Sequence, residues 1–434
     1  MRSAAIVLAH TVAHFSIQEQ GASMSSSAPQ VPDHRLTILC LASYYKGIDF
    51  IRECHRQGCR TLLLTSHSLK DEPWPRESIH ETFYIPDVQK EWKMEDVLLG
   101  ASYMARKESI DRIVALDDFD VEKAATLREH LRVPGMGDTT ARYFRDKLAM
   151  RSQAREEGLL VPEFIHVLNY DRLREFTERV PPPWVLKPRT MAGSMGIRKL
   201  HSAEELWAAV EQLGDQQSFY LLEQYVPGDI FHVDSIFYER ELLFSIASRY
   251  GRPPMEVSQQ GDIFSTATLP LGSAEAEPLI ELNKKVMKAF GMVRGVSHSE
   301  FIRGREDGRL YFLETSARVG GAHIVDLIEA ATGINMWAEW AKVEIAGGKA
   351  PYRPPTPRRD CTGLLVSLAR QPHPDTSAYN DPEIVWRMTE KEHHVGLLVR
   401  SSDPKRVQEL LNRYTERMRQ DFLAWQPPLE RPNF

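Results

Sequence analysis

Residues 296–321 read VSHSEFIRGREDGRLYFLETSARVGG. Two runs of alternating character flank Gly304-Arg305-Glu306-Asp307-Gly308, a composition suited to a hairpin turn. A turn centred on Asp307 sets Glu300 opposite Glu314 on neighbouring strands. With a period of two, His298 shares the face of Glu300, while Ser316 and Arg318 share the face of Glu314. Facing carboxylates repel, so the pair calls for a cation between them. A hard divalent ion such as Mg²⁺, which takes one or two protein carboxylates together with nucleotide phosphates, meets that need. Arg318, two pleats further on, would lie near the same phosphates as a fixed cationic fork. Alone, the stretch fits a solvated hairpin with surface charges equally well; the rest of the chain decides.

At 434 residues there is room for two or three domains with substantial cores. Hydrophobic residues at 42% and charged residues at 26% are ordinary for a soluble protein. A formal net charge of −6 argues against nucleic acid as an obligate partner. The four cysteines, Cys40, Cys54, Cys59 and Cys361, lack zinc or disulfide spacing and suit structural thiols in a reducing cytoplasm. No run approaches eighteen consecutive apolar residues, so no membrane span is expected. Residues 1–35 are expected to be a disordered tail, or the start is mis-assigned and the chain begins at Met24; the run MRSAAIVLAHTVAHF, broken by two histidines, makes a poor signal peptide.

From Leu36 onward short apolar strands (LTILCLA, RTLLLTS, RIVALDD) alternate with helical patterns, as in a parallel α/β layer spanning 36–137. Asp117 and Asp118 follow a strand end, where such sheets carry ligands or domain contacts, although capping of the next helix explains them as well. Residues 138–226 read as a helix from Thr140 to Glu157, a strand at EFIHV, a helix, a strand at WVLKPR and the loop TMAGSMG. The strand IRKL follows, then a helix opened by a Ser202–Glu205 capping box, then FYLLEQYV. Residues 227–348 are strand-rich at first, then include a helix from Glu275 to Phe290, the opening hairpin and two further helices. A proline-rich linker, 349–360, leads to a small α+β unit at 361–434, with strands at GLLVSLA and VGLLVR and a helix from Pro404 to Phe422. His393 and His394 point to opposite strand faces and do not suit one metal ion.

Lys187 precedes a loop containing Gly193, Ser194 and Gly196, whose backbone N–H groups could form an anion nest. The loop matches neither a P-loop nor a Rossmann turn. The order is what carries information: a helix lysine (Lys147), a strand lysine (Lys187), a glycine-rich loop, an apolar strand ending Glu223-Gln224-Tyr225-Val226, then the paired-glutamate hairpin ending in Arg318. In that order the chain resembles the ATP-grasp superfamily, and within it the carboxylate–amine ligase branch related to carbamoyl phosphate synthetase. The resemblance implies an ATP-grasp core at 138–348, with a lid and hinge part (138–226) and a metal-binding part (227–348). The α/β layer at 36–137 would be the pre-ATP-grasp domain, and the C-terminal α+β unit would pack on the core. Lys147 and Lys187 would contact phosphates under the Gly193–Gly196 loop, and Glu223 to Val226 would hold adenine. Glu300 and Glu314 would ligate Mg²⁺, or alternatively Mn²⁺, and Arg318 would sit at the transferred phosphate. Lys187 and Arg318 would thus be catalytic.

Two positions depart from the family pattern. The usual third metal ligand, an Asn, is Ser316, and the usual ribose-binding Glu aligns with Ile230, leaving Asp229 or His232 as substitutes. The activity implied is ATP-dependent, ADP-forming amide or peptide bond formation between a small carboxylate and an amine, through an acylphosphate. A cytoplasmic location, no nucleic-acid or membrane partner, and a homodimer as in similar ligases go with it. Arg249 is a candidate clamp for the substrate carboxylate. The alternative from another class is an ATP-binding regulatory protein without turnover; intact glutamates and Arg318 favour the enzyme.

Overall fold

The computed structural model describes residues 35–87 and 91–426. The expectation for the N-terminal tail therefore falls outside the described residues, apart from Arg35. The first layer comprises β1 (Thr37–Ala42), α1 (Ile48–Arg56), β2 (Arg60–Ser66), β3 (Glu81–Ile85), α2 (Met94–Met104), β4 (Arg112–Ala115) and α3 (Val121–Leu131). Its four strands are parallel, in the order β3-β2-β1-β4. β1 and β4 are buried along their whole length, and β2 is buried after its first residue. Helices on both faces explain why these strands read as nearly unbroken apolar runs. One face packs on α2 and α3; the other packs through α1 against the main body of the chain.

The second layer comprises α4 (Asp138–Arg142), α5 (Lys147–Glu156), β5 (Phe164–His166), α6 (Tyr170–Arg179), β6 (Trp184–Pro188), β7 (Arg198–Leu200), α7 (Ala203–Leu213) and β8 (Tyr220–Gln224). The strands form an antiparallel sheet ordered β5-β8-β6-β7. The helix expected from Thr140 to Glu157 is in fact two. The carboxylate of Asp146 accepts from the N–H groups of Leu148 (2.9 Å) and Ala149 (3.4 Å), starting a new helix at Lys147. The sequence reading missed this because Asp146 sits inside an otherwise helical pattern.

The remaining elements are β9 (Gly228–Tyr238), β10 (Glu241–Tyr250), α8 (Pro254–Gln260), β11 (Phe264–Thr268), α9 (Glu277–Ala289), β12 (Gly295–Gly304) and β13 (Leu310–Ser316), then α10 (Ile324–Thr332), α11 (Met336–Ala346), β14 (Cys361–Leu368), β15 (Ile384–Arg387), β16 (His394–Ser401) and α12 (Pro404–Asp421). Their strands form one antiparallel sheet ordered β13-β12-β9-β10-β11-β14-β16-β15. Two elements absent from the sequence reading matter here. β11 pairs with β10 on one side and β14 on the other, so the C-terminal strands continue the main sheet. α8 occupies the connection between β10 and β11. Mixed parallel α/β and antiparallel α+β layers agree with the fold class expected from sequence. All four cysteines are buried and free, and burial pushes the Cys40 and Cys54 thiols up. Among the described residues no helix is long and apolar enough to cross a membrane.

β9 and β12 approach closely at Gly228, where an added Cβ would stand 2.1 Å from the carbonyl oxygen of Arg303. Gly228→Ala must push the two strands apart, and should cost about 1–3 kcal/mol. Chemical denaturation of the variant against the wild type measures it.

Candidate active site

Near its turn the β12–β13 hairpin pairs Arg303 with Leu310 and Phe301 with Phe312. An irregularity next to Glu300 then shifts the register by one residue and sets Glu300 opposite Glu314. The shift turns both Leu313 and Glu314 toward the same cleft. The pairing anticipated from sequence is therefore reached through a bulge rather than a regular ladder. His298 lies opposite Ser316.

The cleft lies between the second layer and the main sheet. Its floor is Gly228, Ile230, Glu300, Ile302 and Glu314. Lys187, Met191, Ser194 and Ile197 form the opposite wall, and Glu223 to Val226 join the two. Gly193, Ser194 and Gly196 have φ of 65°, 61° and 67°, so the loop turns through three left-handed residues. At Gly196 an added Cβ would also meet Pro188 at 2.8 Å.

Charges in the cleft are tightly paired. Glu223, 1% exposed, receives Arg151 Nε at 2.6 Å and Lys187 Nζ at 2.6 Å. Burial would raise its pKa, but the Arg151 and Lys187 cations outweigh burial and hold the carboxyl below its usual range. Lys147 Nζ lies 2.9 Å from Glu314 and donates to the Met191 carbonyl at 2.7 Å, tying the base of the glycine-rich loop to the hairpin. Glu300 accepts from the Tyr250 hydroxyl at 2.8 Å, with His298 Nε2 3.8 Å away. Behind it, Asp234 accepts from His232 (2.8 Å) and His298 (2.9 Å), and His232 Nε2 lies 2.8 Å from Thr266 Oγ1. Burial tends to lower the His298 pKa, yet Asp234 and Glu300 raise it to about 9.

Arg318 does not line the cleft but is held at the adjoining contact with the first layer. Its Nη1 donates to the Val319 carbonyl (2.8 Å), and its Nε stands 3.8 Å from Asp118 of the first layer. Asp118 also accepts from Arg145 at 2.6 Å. Burial would raise the Asp118 pKa, but Arg145, Arg318, Ser316 and Lys147 bring it to about 2. Asp118 is thus a contact between layers, one of the roles its strand-end position suggested, and Ser316 is its neighbour. Asp229 is not brought to the cleft. It lies one pleat out of phase with Gly228 and Ile230, and pairs with Arg249 at 2.8 Å on the other face of the sheet. The same pairing keeps Arg249 away from the cleft. His232 is on the cleft side of the sheet but wholly enclosed. Ile230 itself lines the floor. His393 and His394 lie beside separate backbone carbonyls, those of Ala369 and Glu392.

Sequence reasoning missed Arg151, Asp234 and α8. Arg151 stands four residues after Lys147 and so shares its helix face, a spacing that was available as a signal. α8 brings Pro253, Pro254 and Met255 to the cleft mouth, and Gln259 Nε2 donates to the Ile197 carbonyl of the glycine-rich loop at 2.9 Å. Asp262, just after α8, receives Arg252 from its start (2.5 Å) and both Nε (2.7 Å) and Nη2 (2.9 Å) of Arg419 on α12.

The family pattern described as the ATP-grasp domain matches residues 180–326. With the geometry above, the chain has the ATP-grasp fold. Among individual proteins, it is 27% identical over 243 residues to the L-arginine-specific L-amino acid ligase of Bacillus subtilis, an alignment covering 54% of this chain and 58% of that protein. It is 26% identical over 215 residues to a D-alanine–D-alanine ligase of Chlorobaculum tepidum, covering 46% and 58%. The chain thus spans little more than half the length of these curated relatives. The crystal structure of an L-amino acid ligase from Bacillus licheniformis superposes with a TM-score of 0.68 at 17% identity, covering 90% of this chain and 99% of that one.

Two outcomes are expected. Glu223→Gln leaves two buried cations sharing a neutral partner and should cost about 3–5 kcal/mol at pH 7. Because the folded-state pKa of Glu223 is depressed, its contribution is present above the unfolded carboxyl range, about 4.3, and is lost as pH falls through the folded value. The gap between wild type and variant in urea unfolding should therefore narrow on acidification. Arg419→Ala removes a partly exposed clamp worth about 1 kcal/mol. Amide exchange across residues 255–260 should then quicken about fivefold, with β9 and β12 unchanged.

Proposed function

We propose that the chain is an ATP-dependent, ADP-forming carboxylate–amine ligase that joins small amino-acid-like substrates through an amide or peptide bond. The observation that carries this reading is the facing pair Glu300 and Glu314, with Lys147 and Lys187 beside it under a glycine-rich loop. The named activities of the amino acid ligase and D-alanine–D-alanine ligase relatives support it.

The two carboxylates fit a hard divalent ion: they are oxygen donors on adjacent strands, and the Lys147 ammonium already compensates one of them. Glu300 and Glu314 would hold Mg²⁺, with Mn²⁺ as an alternative, and the ion would neutralise phosphate charge when bound. Ser316, engaged near Asp118, adds at most a hydroxyl.

In this reading Glu223 to Val226 take adenine, and Lys147, Lys187 and the Gly193, Ser194 and Gly196 loop take the phosphates. Asp229 is no longer part of the ribose contact, since it faces away. The substrate carboxylate attacks the γ-phosphorus of ATP and ADP leaves; the amine then attacks the acyl carbon and phosphate leaves. Arg318, restrained by Asp118, offers its guanidinium to the transferred phosphoryl group. Lys187, fixed by Glu223, keeps a positive charge in the wall without having to reorganise. The loop and α8 exclude water from the acylphosphate. No protein nucleophile is required. The enzyme is expected in the cytoplasm, acting as a homodimer, and the domains follow the divisions at 137 and 226, with residues 361–426 sharing the sheet of the core rather than forming a separate unit.

Coupled ADP release with MgATP, screened over pools of amino acids, dipeptides and small acids, tests the reading. Release should require an acid and an amine together, and should fall by about 10²–10³ in Glu314→Gln, as when a preorganised charge is removed. If ATP binds but no pool raises ADP release above background, the ligase reading fails and a nucleotide-binding regulator takes its place.

A further inference from the structure

A second cavity lies between β4 of the first layer, the 134–140 segment, the 291–295 loop and α11. It shares no lining residue with the nucleotide cleft. Four arginines line it, Arg112, Arg128, Arg240 and Arg294, against one carboxylate, Glu344. Arg112 is 6% exposed and donates only to the carbonyls of Asp111 (2.7 Å) and Glu344 (3.1 Å). Arg128 donates to the carbonyls of Ile113 and Met136. Of the four, Arg294 has a carboxylate partner, Glu239 at 3.0 Å. Among the described residues no carboxylate comes within 4.0 Å of the Arg112, Arg128 or Arg240 guanidiniums. Glu344 is itself occupied, accepting from Trp340 Nε1 at 3.1 Å. Burial pulls the Arg128 pKa down, and Glu344 is the group that opposes it.

Guanidiniums kept from water normally acquire carboxylates, because carbonyl acceptors satisfy N–H groups without balancing the charge. Here Arg112 and Arg128 have free N–H donors and no carboxylate partner among the described residues, Arg240 adds an exposed guanidinium at the outer part, and the cavity between them is wide enough for a small ligand. Planar forks of this kind match oxyanions with two or more negative charges. We propose that this cavity is a binding site for a small multivalent oxyanion, a phosphorylated or polycarboxylate metabolite, separate from the nucleotide cleft. Such a ligand would bridge the first layer, through Arg112 and Arg128, to the ATP-grasp core, through Arg240 and Arg294. It would bias how the two sit together and so act as an effector rather than a substrate.

Isothermal titration of the full chain with pyrophosphate and, separately, with citrate tests this, with and without a saturating non-hydrolysable ATP analogue. One of the two probes should bind at one site per chain with the analogue present, and which one binds names the source of the anion. Affinity should fall at least tenfold in Arg240→Gln/Arg294→Gln, two residues at the outer part of the cavity whose loss leaves the buried guanidiniums in place. Arg112→Gln, accepted only if its melting curve stays cooperative, should abolish binding. If both probes fail with the analogue bound, or the double variant binds as the wild type does, the site does not exist.

Discussion

Two carboxylates face each other across β12 and β13, and the organisation of the site follows from keeping them there. Like charges on opposed strands destabilise a hairpin unless neighbouring groups absorb the repulsion. The chain absorbs it unevenly. Glu314 is matched by Lys147 from the start of α5, so the helix break at Asp146 is part of the solution. Glu300 is held by the Tyr250 hydroxyl and by His298, which leans on Asp234. The two carboxylates therefore differ: one is salt-bridged and partly exposed, the other enclosed in a hydrogen-bonded chain running into the sheet.

A second knot of charge repeats the pattern at the hinge. Arg151 and Lys187 converge on Glu223, fixing β8 against α5 and giving the lysine one orientation. Asp118 does the same between layers, with Arg145 and Arg318 on either side. In each case a buried carboxylate is shared by two cations.

Much of this was legible in the sequence because it lies on regular elements. The alternation through 296–321 placed Glu300 opposite Glu314, and strand–helix alternation in 36–137 revealed the parallel layer. What escaped depended on contacts distant in sequence or on short elements. β11 is five residues long, too short for its alternation to stand out as a strand. Asp229 stands next to Ile230, the position of the usual ribose-binding Glu, and so reads as a substitute for it, whereas the pleat that turns it from the cleft is set by pairing with β12. The proximity of Asp118 to Arg318 joins residues two hundred positions apart, and no local pattern encodes it.

The pairing of β11 with β14 has a bearing on how the chain could be cut. Residues 361–426 look detachable in sequence, set off by prolines, yet they cover the edge of the strand that anchors α8. Removing them would bare the N–H and C=O groups of β11 to water and to any passing strand, a familiar route to edge-to-edge association. It would also release Asp262 from α12. The proline-rich segment thus joins two parts of a single sheet, and a break there exposes an adhesive edge on the strand that follows α8 at the mouth of the cleft.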